Sequence, residues 1–82
     1  MSISIAKIWE PFAEKVWFDD VKLYIQLLDG RELSVPLEWF PHLRDATVEQ
    51  RNNWRLIGRG LGIHWEEIDE DISVSALLTG VS

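Results

Sequence analysis

Two histidines, His42 and His64, are the side chains best suited to proton chemistry near neutral pH. Neither has a serine and an aspartate at a spacing that would set up a nucleophile and its base. His64 lies in Gly62-Ile63-His64-Trp65, where strand alternation puts Ile63 and Trp65 on one face and His64 on the other. It reads as a hydrogen-bonded structural histidine, with a titrating site residue as the sharper alternative.

Asp69-Glu70-Asp71 raises the question of a divalent cation. A helix–loop–helix calcium loop starting at Asp69 would need glycine where Val74 stands and glutamate where Gly80 stands, so that motif is excluded. A looser carboxylate site for Mg²⁺ or Ca²⁺ competes with a plainer electrostatic role, in which acids ahead of a helix capped by Ser73 sit at its positive end. Arg51, Arg55 and Arg59 recur at i, i+4 and i+8 and would form one basic stripe on a single helix. Three arginines make a meagre phosphate-binding face. They read better as a solvated face or as an internal partner for the acids. Gly58-Arg59-Gly60-Leu61-Gly62 is glycine-rich but lacks the lysine and the following helix of a phosphate loop. The absence of cysteine excludes disulfides, thiolate zinc sites and cysteine nucleophiles. No catalytic set, metal site or cofactor is therefore expected, and the chain does not read as an enzyme.

The elements that must position these residues belong to one small domain, since 82 residues support a single core. The first 14 residues form an N-terminal extension, or an extra strand over Ile3 to Trp9. No signal peptide or membrane span is legible, and a cysteine-free chain suits a reducing cytoplasm. The net charge of −6 is local: Glu66, Glu67, Asp69, Glu70 and Asp71 carry five of the fourteen acids, and the remainder is nearly neutral. Such a patch disfavours direct contact with a nucleic-acid backbone at that place. Five tryptophans are core fillers in the plainer reading, with one or two at an interface in the sharper one.

An α+β fold is predicted, built on an antiparallel three-stranded meander over 15–18, 21–27 and 31–35. Alternation puts Val16, Phe18, Val21, Leu23, Ile25, Leu27, Leu33 and Val35 on one face. Parity then selects the turns, because cross-strand partners share a face. A two-residue turn at Asp19-Asp20 pairs Phe18 with Val21. At Asp29-Gly30 a two-residue turn would pair Leu27 with Glu32, so a three-residue loop, Leu28-Asp29-Gly30, is required, with Gly30 left-handed. Pro36 ends the third strand. Thr47 and Gln50 form a capping box that opens a helix over 47–57. A short strand is expected near 61–65, and a last helix over 73–79.

Three stretches resemble a known bacterial family: Asp29 to Leu37 with Trp39-Phe40-Pro41; Ala46 to Arg51 with Asn53 to Gly58; and Gly62 to Trp65 with Asp69 to Val74 and Leu77-Leu78. Together they are similar to domain-of-unknown-function family 2442, over about Val16 to Gly80. The resemblance implies a small α+β domain, and it carries no catalytic or ligand residues. It also implies a gene context beside a second small protein, in keeping with the antitoxin side of a toxin–antitoxin pair or a regulatory module.

The leading expectation is an acidic protein-interaction module that binds a basic, adjacently encoded protein. Its candidate surface is Trp39, Trp54, Arg55, His64 and Trp65 with the acids Glu66, Glu67, Asp69, Glu70 and Asp71. The alternatives are a nucleic-acid-binding regulator using Arg51 and Arg55, and a small-ligand or metal-binding domain using His64, Trp65 and the acids. Self-association through an open sheet edge is a further possibility.

Overall fold

Alternating apolar residues in the first half of the chain build an antiparallel meander of β1 (Ala13–Phe18), β2 (Lys22–Leu27) and β3 (Glu32–Pro36), in the order β1-β2-β3. The computed structural model describes residues 11–79. The expected strand over Ile3 to Trp9 lies outside these residues. Within them, strand alternation turns Trp17 and Tyr24 away from the core face. Those two rings stack on the outer face of the sheet, 5.5 Å apart and within 11° of parallel.

The second turn forms as parity requires. Ile25 pairs with Leu33 and Leu23 with Val35. Leu27 N–H donates to Arg31 O, and Gly30 has φ +98°, a region that glycine enters freely. The first turn differs from the expected two-residue form. Phe18 pairs with Leu23 and Val16 with Ile25, so four residues, Asp19 to Lys22, separate the innermost pair of β1 and β2. The Asp19 carboxylate causes this: it accepts from the amides of Val21 and Lys22, at 2.9 and 2.7 Å, and from the Tyr24 hydroxyl at 2.6 Å. Val21 is thereby turned out, 63% exposed, instead of joining the core. A shift of two positions preserves side-chain parity, so the remaining face assignments hold.

After β3 the chain makes a 3-10 turn at Leu37–Trp39, then α1 (Pro41–Arg44) and α2 (Val48–Asn52). The capping box is present: Gln50 N–H donates to Thr47 Oγ1 and Thr47 N–H to Gln50 Oε1. The helix it opens stops at Asn52, however, and does not reach residue 57. Residues Trp54–Ile57 form β4, which pairs with β5 (Gly62–Trp65), itself paired with β6 (Glu70–Ser73). Ladder pairing and burial of Trp54 and Leu56 against the core override the helical spacing. The second sheet, order β4-β5-β6, is thus also an antiparallel meander. Ser73 caps α3 (Val74–Thr79) through a 3.3 Å bond from Ala76 N–H.

Both sheets share one core. Val16, Leu23, Ile25 and Leu27 meet Ile63, Trp65 and Ile72, with Leu37, Leu43 and Val74 closing the sides. Trp65 is completely buried; it meets Phe18 edge-on at 6.3 Å and donates its indole N–H to Arg51 O at 2.9 Å. Ala13, the first residue of β1, lies directly on Gly60. Among the described residues no helix is long and apolar enough to cross a membrane.

Candidate functional site

The second sheet positions most of the predicted surface residues. Its inner rows are Trp54–Trp65–Glu70 and Leu56–Ile63–Ile72; its outer rows are Arg55–His64–Asp71 and Ile57–Gly62–Ser73. Trp65, expected at an interaction surface, is instead wholly buried in the core. Trp54 shares that inner face and is half-buried. Arg55, His64 and Asp71 do come together, directly opposite one another across three strands.

His64 is held on both sides. Nδ1 bonds to the Asp71 carboxylate, and Nε2 lies 3.1 Å from Glu66 Oε1, which also accepts from Arg55 Nη2 at 3.2 Å. The Asp71 hydrogen bond, with the charges of Asp71 and Glu66 behind it, holds the imidazole pKa above its ordinary value against a smaller opposing effect of burial. With each ring nitrogen on a carboxylate, the imidazole presents no free lone pair to a substrate. The group ties β4, β5 and β6 together as an ionic clasp.

The three arginines do not form one stripe. Arg51 donates from Nε to Leu43 O and from Nη2 to Arg44 O, satisfying the last carbonyls of α1. Arg55 belongs to β4, and Arg59 has φ +59° in the Gly58–Gly60 turn, where its guanidinium lies over the Phe12 ring. Arg55 pairing with Glu66 realises the expected internal partner for the acids.

The acids divide into two groups. Glu66, Glu67 and Asp69 occupy the β5–β6 turn, in which Asp69 takes φ +53°. Glu70 and Asp71 begin β6, the strand that runs into α3, and Glu70 Oε1 lies 3.3 Å from His42 Nδ1 on α1. Among the described residues no three His, Asp or Glu are grouped to hold a metal ion.

β6 ends the second sheet, and apolar concavities lie on both sides of it. One, about 380 Å³, is a shallow surface on the outer face over Gly62, walled by Ile57 and Leu61, which are 39% and 40% exposed. The other, about 220 Å³, is walled by Trp39, Phe40, Ala76 and Leu77 against β6. Trp39 is 56% exposed. The ladder phase follows from Val74, whose N–H donates to Leu61 O at 3.0 Å. Hydrogen-bonded pairs alternate along an antiparallel ladder, so Ile72 and Glu70 turn their backbone groups to β5. Asp71 and Ser73 turn their amides to the other side of β6, where no strand lies among the described residues.

The sequence reading missed Phe40, Ile57, Leu61, Ile72, Ser73 and Leu77. Trp54 and Leu56 on either side of Arg55 were the available signal for β4, whereas β6, with Ile72 as its one apolar residue, carried none.

A crystal structure of a protein of unknown function from Rhodospirillum rubrum ATCC 11170 has a similar fold, with a TM-score of 0.76 and 29% identity over 89% of this chain and 90% of that one. No curated protein matches the chain. A family model described as protein of unknown function, DUF2442, matches residues 13–82, and on that match the chain belongs to the DUF2442 family.

Proposed function

We propose that the domain is a protein-interaction module whose contact surface is the β6 side of the second sheet. The observation that supports this best is the adjacency of two features there. An exposed tryptophan, Trp39, overlooks an apolar concavity, and the acids Glu66, Glu67 and Asp69 stand at the head of the same strand. Aromatic anchors beside a charged rim are how protein surfaces recognise partners of opposite charge. The partner that suits this surface is a small basic protein. An antitoxin-like role in the cytoplasm, binding the product of an adjacent gene, is the form of that function we favour.

Co-expression with the neighbouring gene product tests it. A 1:1 complex should survive size exclusion in moderate salt, and the pair Glu67→Lys and Asp69→Asn, the latter keeping a side chain suited to the positive φ there, should weaken it. These residues are exposed, so the variants should fold. Absence of a complex, together with failure to relieve any growth defect caused by that product, would remove the proposal.

A further inference from the structure

We propose that the free edge of β6 is a strand-addition site for an extended cationic segment of the partner, with one apolar side chain seated beside Trp39. This rests on the protein-binding reading above and names its mode. Among the described residues β6 has no strand on its outer side. The ladder phase leaves the amides of Asp71 and Ser73 facing outward, and the apolar concavities border those same residues. Strand addition uses this combination: backbone pairing gives register, and pockets beside the edge choose alternate side chains.

The alternation of an added strand then fixes a pattern. A residue opposite Ile72 points inward, into the space between Phe40 and Leu77. Its neighbour, opposite Asp71, points outward to the Asp71 carboxylate, on the side where the β5–β6 turn carries Glu66, Glu67 and Asp69. The favoured segment therefore has a Leu- or Phe-sized residue directly beside Lys or Arg. A concavity of about 220 Å³ suits one such anchor, not a helix face. Charge also chooses between a foreign segment and a second copy. A second copy brings the same net charge of −6, with the same acids beside its own β6, and that like-charge encounter opposes self-pairing.

The probe is a displayed random heptapeptide library selected on the full-length protein, followed by synthetic peptides of the enriched sequence carrying one N-methyl group at each amide in turn. Enrichment of an apolar residue next to Lys or Arg is expected. N-methylation should weaken binding about tenfold at alternate amides and leave the intervening ones nearly unaffected. Binding should move the Asp71 and Ser73 amide resonances, and Trp39→Ala, at an exposed position, should weaken it without unfolding the chain. Selected peptides that tolerate every N-methylation would overturn the strand mode, as would a selection without enrichment. Slow hydrogen exchange of the Asp71 and Ser73 amides in the free protein would overturn it too, because the chain itself would then cover the edge. A gene-neighbour complex that leaves those two amides unmoved would refute strand addition while sparing the interaction function. Alternating peptide binding without such a complex would do the reverse.

Discussion

Replacing Gly60 by alanine, beside the same replacement at Gly30, measures the contact that joins the two sheets. The glycines have nearly equal φ, +105° and +98°, a region L side chains rarely adopt, so giving either a side chain carries an intrinsic cost. That cost is about 1–3 kcal/mol. At Gly30 an added Cβ meets nothing within 4 Å. At Gly60 it would lie 2.5 Å from Ala13 O and 2.9 Å from Ala13 N. Both are backbone atoms at the start of β1, and they cannot swing aside like the end of a side chain. Neighbouring Phe12 is fixed as well, since its carbonyl accepts from Leu28 N–H at 2.9 Å. Forcing buried atoms apart costs a further ~1–3 kcal/mol. A domain of this length has about 4–12 kcal/mol of total stability, so Gly60→Ala should remove a large fraction of it and Gly30→Ala a small one. Urea denaturation followed by circular dichroism reads both. Equal losses at the two sites would refute the seam.

Trp65→Phe keeps an aromatic ring in the core but strips the donor from Arg51 O. A loss of about 1–3 kcal/mol in urea is expected, and a neutral result would show that water replaces the indole. Asp71→Asn should return His64 toward its ordinary pKa, followed by NMR titration of the ring. A raised folded value means that the His64 contribution to stability is complete below the unfolded value near 6.5 and is lost as pH rises through the folded one. Asp19 runs the opposite way. The Tyr24 hydroxyl, with the Val21 and Lys22 amides, lowers its pKa, so its contribution exists above the ordinary carboxylate range and fades as pH falls through the lowered value. The sequence has one tyrosine, so tyrosinate absorbance reports Tyr24 alone. Asp19→Ala should lower its raised pKa toward that of a free phenol, because the Asp19 hydrogen bond is the largest cause of the rise.

The first sheet was legible because its strands are long enough for alternation to show and its loops carry Asp and Gly. Val21 escaped because the side-chain pattern cannot distinguish a two-residue turn from a four-residue one; both keep parity. The decision rests on the Asp19 carboxylate, whose bonds form only after the chain has turned. The second sheet was half visible. Gly62 to Trp65 read as a strand, but β4 was hidden behind a genuine capping box and an i, i+4 arginine spacing that together imitate a longer helix. β6 was hidden because Glu70 and Asp71 resemble a polar loop. The candidate site suffered accordingly. Trp39, Arg55, His64 and Asp71 could be picked out singly, whereas the row that joins the last three needs β4 and β6, and the groove depends on where α3 and the Trp39–Phe40 turn come to rest.

Each sheet joins only strands that follow one another along the chain. Their hairpins are therefore local events that can close within about 1–10 μs. The contacts that unite the halves are of a different kind. Phe18 with Trp65 and Ala13 with Gly60 both span 47 positions. Closing a loop of that length is the entropic step in folding this domain, and the order of events follows from it. Two preformed meanders collide, and the native state is reached when a tryptophan and a glycine fit their distant partners.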